Sequence, residues 1–234
     1  MINDVIMPTP SAVLEAARLM ADGLPGYPGL GELILVDVGG ATTDVYSIAK
    51  GSPTKSGVSM AGLPEPYAKR TVEGDLGLVH NLEKLKEIAR AGEIPASFDE
   101  TVQTFCEIGG VPTGNEQVAC HSLLSYLAVK TAVERHVGRI EVRVYPNGEM
   151  LLQRGKDLTR VQWVVGSGGP ISFARDPRPI LEGALLHENT PALLKPKAPG
   201  MLVDQNYILF AIGLLAQSEP AKALNILKKY MKRL

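Results

Sequence analysis

The sequence is poor in cysteine and in net charge, and each shortage argues against a class of protein. Among its 234 residues are two cysteines, Cys106 and Cys120, which lie 14 residues apart and form no Cys-x-x-Cys pair. Buried thiols in a reduced, intracellular protein are therefore expected, rather than disulfides or a cysteine metal site. The formal net charge is −1. The basic excess typical of nucleic-acid surfaces is missing, so no nucleic-acid partner is expected.

Long apolar runs are also missing from the sequence. No run reaches the roughly 18 residues that a membrane-spanning helix needs, so no membrane association is expected. The first residues, MINDVIMPTPSA, lack both the basic region and the long apolar stretch of a secretory signal. These absences predict a cytoplasmic protein.

Several catalytic and metal-binding motifs are absent as well. The sequence contains no G-x-S-x-G elbow, no H-E-x-x-H pair and no EF-hand loop. Gly155 and Lys156 lack the earlier glycine and the following hydroxyl residue of a P-loop. His121 and His136 lie 15 residues apart, too far for a metal pair on neighbouring turns of one helix, so structural or surface roles are expected. The sequence therefore assigns no catalytic residue.

What the chain does contain is the composition of an ordinary soluble domain, with 45% hydrophobic and 21% charged residues. Predicted strands and helices alternate, with hairpins over residues 33–47 and 140–153, which indicates an α/β or α+β fold with a mixed sheet. Residues 50–66, rich in Gly, Ser and Pro, predict a surface excursion. The spacing of apolar residues and helix breakers predicts helices near residues 9–21, 81–90, 97–108, 116–137, 180–186, 207–215 and 220–233.

Residues 33–47, LILVDVGGATTDVYS, carry the strongest local signal. Four apolar residues lead into Asp37, and a glycine pair, two threonines and a second aspartate follow. This pattern predicts a strand, a tight turn and a second strand. Backbone amides in so small a turn can approach a ligand closely, so the loop can cradle phosphate oxygens and leave a carboxylate for a hydrated cation. The alternative is a glycine-rich hairpin in a buried sheet.

A second glycine cluster, GSGGP at residues 166–170, follows the apolar residues 161–165. A helical stretch is predicted after it, so a ligand there would meet bare backbone and a helix N-terminus. The cluster lacks the G-x-G-x-x-G spacing of a dinucleotide fold. Together with the first loop, about 125 residues earlier, it predicts a nucleoside phosphate between the two loops, with phosphates on residues 39–43 and the nucleoside against residues 166–170.

Residues 68–81, AKRTVEGDLGLVHN, place Lys69, Arg70, Glu73 and Asp75 close to two glycines. Charges this dense on a glycine-containing loop are typical of a binding or interface element, and equally of a solvated loop. The sequence leaves both interpretations open.

The two glycine motifs resemble those of a known superfamily. DVGGATTD resembles the second phosphate loop of the actin, Hsp70 and sugar-kinase superfamily, and VVGSGGP resembles its adenosine loop. Within that superfamily the chain resembles the MutL-type accessory proteins of glutamate mutase operons, which are unrelated to the mismatch-repair protein of similar name. The stretches that carry this resemblance are PTPSAVLEAARLMADG, ELILVDVGGATTDVYS, EPYAKRTVEGDLG and DQNYILFAIGLLA.

The resemblance implies a ribonuclease-H-like, actin-type ATPase domain over residues 1–234, with an inserted helical subdomain at about 66–138. It covers the rear half of such proteins, so a front half with its own phosphate loop is an expected partner. ATP and Mg²⁺ are the implied cofactors, with Asp37 holding water around Mg²⁺. The implied cofactor-binding residues are Asp37, Gly39, Gly40, Ala41, Thr42, Thr43, Asp44, Gly166, Ser167, Gly168, Gly169 and Pro170.

The resemblance also implies a function. It is that of an ATP-dependent, chaperone-like reactivating factor for an adenosylcobalamin-dependent aminomutase such as glutamate mutase, whose subunits would be partners. ATPase activity is expected only together with the front half. Two alternatives remain, a small-molecule kinase of the same superfamily and a non-catalytic partner-binding module.

Overall fold

The computed structural model describes residues 7–91, 112, 114–146 and 148–234. The helix predicted over residues 97–108, with Cys106, lies outside the described residues. The strands are β1 (Gly23–Leu24), β2 (Tyr27–Pro28), β3 (Leu33–Val38), β4 (Thr43–Ile48), β5 (Val58–Met60), β6 (Ala68–Glu73), β7 (Arg139–Tyr145), β8 (Gly148–Arg154), β9 (Trp163–Ser167), β10 (Gly200–Asp204) and β11 (Met231–Arg233). The helices are α1 (Thr9–Asp22), α2 (Leu82–Ala91), α3 (Asn115–His136), α4 (Gly169–Ser172), α5 (Arg178–Glu182), α6 (Leu209–Ala216) and α7 (Pro220–Tyr230).

A six-stranded sheet with the order β11-β10-β9-β3-β4-β6 forms the centre of the described chain. β9 runs parallel to β3 and to β10, whereas β4 is antiparallel to both β3 and β6. Residues 33–36 of β3 are fully buried, as a central strand covered on both faces should be. The structure therefore confirms the predicted α/β fold with a mixed sheet.

Helices cover both faces of this sheet. Because successive side chains of a strand point to opposite faces, Leu33 and Leu35 pack with α1, α6 and α7 on one side, called here the α1 face. Ile34 and Val36 pack with α3 on the opposite side, called here the α3 face. α1, α3, α6 and α7 bury apolar side chains in these clusters, and such tertiary packing supplies most of the stability of a helix in a folded protein.

Strands β5, β8 and β7 form a separate, smaller sheet in the order β5-β8-β7. β7 and β8 form an antiparallel hairpin with Tyr145 opposite Gly148, which confirms the hairpin predicted over residues 140–153. β5, inside the predicted surface excursion, runs parallel to β8.

The helix predicted over residues 180–186 is shorter in the structure and ends at Glu182. Two further segments differ in kind from the sequence prediction. Residues 68–73, predicted as part of a charged loop, form the edge strand β6, in which Arg70 lies opposite Tyr46. An edge strand accommodates charged side chains because part of it faces water. The last helix ends at Tyr230 rather than near residue 233, because Met231–Arg233 pair with β10. The sheet edge satisfies backbone groups that a longer helix would have bonded internally.

Within the described ranges, no helix combines the length and the apolar character needed to cross a membrane. Cys120 is buried in α3, as predicted for a thiol in a helical segment.

Candidate functional site

The two glycine loops lie side by side at the carboxyl ends of two neighbouring strands of the main sheet. β3 and β9 are parallel, with Asp37 opposite Ser167, so both strands end at the same edge and their loops begin there. Gly168 adopts φ +89°, and a Cβ atom on it would overlap the carbonyl oxygen of Val38 and lie 2.7 Å from Asp37 Oδ1. The structure thus brings together two motifs that are about 125 residues apart in the sequence.

A row of polar residues crosses four neighbouring strands where the loops begin. Asp44, Asp37, Ser167 and Asp204 lie on β4, β3, β9 and β10, and we call them the acidic row. They share the α1 face, because each is an even number of residues from a side chain packed on that face. The Ser167 hydroxyl joins two of them by donating to Asp204 Oδ2 at 3.2 Å.

Asp204 is absent from the sequence-predicted site residues. A signal was available, because Asp204 ends the apolar run at residues 201–203 much as Asp37 ends its own run. The residue is 1% exposed, and its carboxylate accepts hydrogen bonds from the backbone amides of Ile208 and Leu209, both at 3.0 Å. Asp204 therefore fixes the start of α6 and places a buried carboxylate in the acidic row.

The acidic row makes Asp37 an unusual carboxyl group. The pKa of Asp37 is raised to about 6, chiefly by burial and also by the negative charges of Asp44 and Asp204, while the cation of Arg70 opposes the rise. Arg70 donates to Asp44 Oδ1 at 3.1 Å and partly offsets the rise that burial causes in the pKa of Asp44. The three carboxyl groups of the row are therefore only partly balanced by the positive charge of Arg70. A further cation beside Asp37 would favour its ionised form.

The first loop presents backbone amides rather than a set of side chains. The amides of Gly40, Ala41 and Thr42 donate no hydrogen bond to any other described residue. Thr43 is buried, and its hydroxyl donates to the carbonyl oxygen of Leu76 at 2.8 Å. Of the predicted phosphate ligands, the three amides remain uncommitted, whereas the Thr43 hydroxyl takes part in the fold.

The second loop, residues 166–170, contributes fewer accessible groups than its glycine-rich sequence indicates. Gly166 is buried, and its missing side chain leaves room for Ile171 and Leu181, whose atoms a Cβ would approach to 2.6 and 2.8 Å. Gly169 and Pro170 are partly exposed and begin α4, which has four residues. The loop therefore combines packing glycines with a short accessible stretch beside Asp37.

Comparison with known proteins identifies the family. The family model described as MutL protein matches residues 1–231. The chain belongs to the MutL protein family. Protein MutL of Clostridium tetanomorphum is 43% identical to it over 238 residues, which covers 98% of this chain and 52% of that relative. The chain thus spans about half the length of the curated MutL relative that it matches.

The donor set of this MutL-family chain fits a hydrated cation better than a protein-enclosed one. Among the described residues, no group of three or more His, Cys, Asp and Glu side chains is placed to hold a metal ion. Mg²⁺ usually keeps several waters and takes one or two carboxylates together with phosphate oxygens. Asp37, with Asp44 opposite it on the neighbouring strand, provides that number of carboxylates beside uncommitted amides.

Tyr207, like Asp204, is absent from the sequence-predicted site residues. It lies in the loop between β10 and α6, and its φ of +50° is uncommon for a residue with a bulky side chain. Burial raises the pKa of Tyr207, and the charges of Asp37, Asp204 and Asp44 raise it too. The ring, 40% exposed, meets Phe210 edge-to-face at 6.3 Å between centroids.

Proposed function

We propose that this chain is the nucleotide-binding half of an ATP-dependent accessory factor for an adenosylcobalamin-dependent aminomutase such as glutamate mutase. The factor acts as a chaperone-like reactivating ATPase. Membership of the MutL family supports the link to the mutase. The observation that carries the nucleotide site is the register of β3 and β9, which puts two glycine loops and Asp37 at one sheet edge.

The fold of the proposal is ribonuclease-H-like and of the actin type. β3 is the first strand of the main sheet in chain order and lies at its centre. Its hairpin partner β4 is antiparallel to it on one side, and β9 is parallel to it on the other, which supports this assignment. The proposed helical insertion at about residues 66–138 contains α2 and α3, which lie between β6 and β7 in the chain, whereas residues 68–73 of that range form strand β6 of the main sheet. The whole of residues 1–234 then forms one half of the ATPase.

ATP and Mg²⁺ are the proposed ligands. The amides of Gly40, Ala41 and Thr42 bind phosphate oxygens, since uncommitted amides in a tight glycine loop favour anions. Asp37 holds a water of the Mg²⁺ ion, which neutralises phosphate charge when it is bound. Gly169 and Pro170 face the nucleoside, and Tyr207 borders the acidic row.

The opposite side of the nucleotide site is proposed to come from the half of the MutL relative that lies outside this chain. The chain matches 52% of that relative. No catalytic base is assigned within these 234 residues, so hydrolysis is expected of the two halves together.

Titration calorimetry with Mg-ATP tests the proposal on this chain and on a longer MutL protein that carries both halves. Saturable binding is expected in the longer protein, with affinity at least about tenfold above that of this chain alone. Asp37→Asn should weaken binding, whereas Glu149→Gln, which removes an exposed charge from the smaller sheet, should not. Absence of binding in both proteins would refute the nucleotide site.

A mutase assay tests the partner separately. The longer protein with Mg-ATP should restore activity to glutamate mutase that has lost activity during turnover, and the Asp37→Asn variant should restore less. Equal recovery with and without ATP would contradict an ATP-dependent reactivating role.

A further inference from the structure

Residues 74–81, which we call the loop clamp, form hydrogen bonds with the carbonyl groups of the first glycine loop. The amide of Leu78 donates to the carbonyl oxygen of Gly39 at 3.1 Å. The amides of Val79 and His80 both donate to the carbonyl oxygen of Gly40, at 2.8 and 3.0 Å. The clamp thus binds two successive carbonyl groups of the loop from one side.

Asn81 completes the clamp with its side chain. Its Nδ2 atom donates to the carbonyl oxygen of Ala41 at 2.9 Å and to that of Gly74 at 2.8 Å. One amide group therefore joins the tip of the loop to the start of the clamp. The backbones also touch, because a Cβ atom on Gly77 would overlap the carbonyl group of Ala41.

The hydrogen bonds of the clamp decide where the loop amides point. In a trans peptide, the carbonyl of one residue and the N–H of the next point in opposite directions. Fixing the carbonyls of Gly39, Gly40 and Ala41 on the clamp side turns the amides of Gly40, Ala41 and Thr42 away from it. None of these three amides donates a hydrogen bond to another described residue.

Helix α3 holds the other end of the clamp. Arg135 donates to Glu73 at 2.7 Å and to both carboxylate oxygens of Asp75 at 2.6 and 2.9 Å. The Arg135 guanidinium holds the pKa of Asp75 below its usual range. Glu73 and Asp75, two of the four charges that stood out in the sequence, are thus used inside the molecule to fix the clamp.

We infer that Asn81 is a positioning residue for the bound phosphates, an inference that rests on the proposed nucleotide function. It touches no phosphate. It holds the Ala41–Thr42 peptide so that the loop amides are oriented before the ligand arrives, and this lowers the ordering cost of binding.

Asn81→Asp tests the inference in the longer MutL protein. At pH 8 the carboxylate would face two carbonyl oxygens without a proton to donate, so Mg-ATP affinity should fall about tenfold or more. The two facing carbonyl oxygens should raise the pKa of the new carboxyl above its usual value of about 4. More of the side chain is then protonated at pH 5.5 and can donate one hydrogen bond, so the difference in Mg-ATP affinity between variant and wild type should narrow. Asp37 titrates in both proteins, so dividing the affinity of the variant by that of wild type at the same pH cancels its effect. Asn189→Asp, an exposed asparagine in a loop, is the matched control and should show no deficit.

Amide hydrogen exchange supplies a readout that needs no nucleotide. In Asn81→Asp and in Asn81→Ala, which adds no charge, the amides of Leu78, Val79 and His80 should exchange faster than in wild type. Asn81→Ala also covers the case in which the aspartate variant does not fold, and it should weaken Mg-ATP binding at both pH values.

The outcomes separate the two proposals. Failure of the wild-type longer protein to bind Mg-ATP overturns the proposed function and this inference with it. Normal binding by wild type, together with unchanged affinity in folded Asn81→Asp and Asn81→Ala, overturns the role of Asn81 alone.

Discussion

Replacing Asp37 by asparagine should stabilise this chain near neutral pH while weakening its ligand binding. Asparagine has nearly the same shape but carries no charge. The native surroundings disfavour the Asp37 carboxylate through burial first, and then through the charges of Asp44 and Asp204. A site that stores destabilising charge in this way is typical of residues kept for function rather than for stability.

The magnitude follows from the pKa of Asp37, which rises from 3.8 to about 6 on folding. At about 1.36 kcal/mol for each tenfold change in proton affinity, this corresponds to about 3 kcal/mol. The folded chain holds the proton more tightly than the unfolded chain, so Asp37 lowers the free energy of unfolding as the pH rises from about 4 to 6. Below that window the penalty is absent, and above it the penalty is complete.

Urea denaturation of wild type and Asp37→Asn at pH 4 and pH 7.5 measures this effect. The free energy of unfolding of the variant, relative to wild type, should rise by about 2 kcal/mol between the two pH values, because part of the penalty is already present at pH 4. Glu149→Gln controls for the removal of one charge at an exposed position. If wild type and Asp37→Asn change in parallel with pH, the proposed electrostatics of the acidic row are wrong.

Two further predictions concern the frame of the site. Gly168→Ala should destabilise the fold by about 1–3 kcal/mol in urea denaturation, because its φ is +89° and the new Cβ would overlap the Val38 carbonyl oxygen. Gly169→Ala, whose Cβ would meet an atom of Phe173 only at 4.0 Å, should cost much less, and equal costs would contradict the close approach. Arg135→Gln should destabilise by about 1 kcal/mol or less, since its partly exposed ion pairs are screened by solvent, and exchange at the clamp amides should quicken. Unchanged exchange there would show that α3 does not anchor the clamp.

The charged segment at residues 68–81 shows why local sequence left its role open. Charge density alone does not distinguish a solvated loop from a structural one, since both need polar side chains. The segment divides in the structure, with residues 68–73 forming an edge strand and residues 74–81 holding the glycine loop. That division depends on β4 as a strand partner and on Arg135, which is about 60 residues away in the sequence.

Asp204 shows a different limit of sequence reasoning. An apolar run that ends in aspartate marks it as it marks Asp37, but a single short strand does not reveal which strands are its neighbours. Only the parallel register of β3, β9 and β10 shows that Asp204 stands beside Ser167 and near Asp37.

Local chemistry in the sequence by itself determined several elements of this protein, though not strands β6 and β11. The apolar run before Asp37, the two glycine clusters and the hairpin over residues 140–153 follow from side-chain alternation and turn chemistry, which act between near neighbours. The tertiary structure alone decided how those elements combine. It placed the two glycine loops together, raised the pKa of Asp37 and turned three loop amides away from residues 74–81. Strand register, burial and these backbone hydrogen bonds all arise between residues that are distant in the chain.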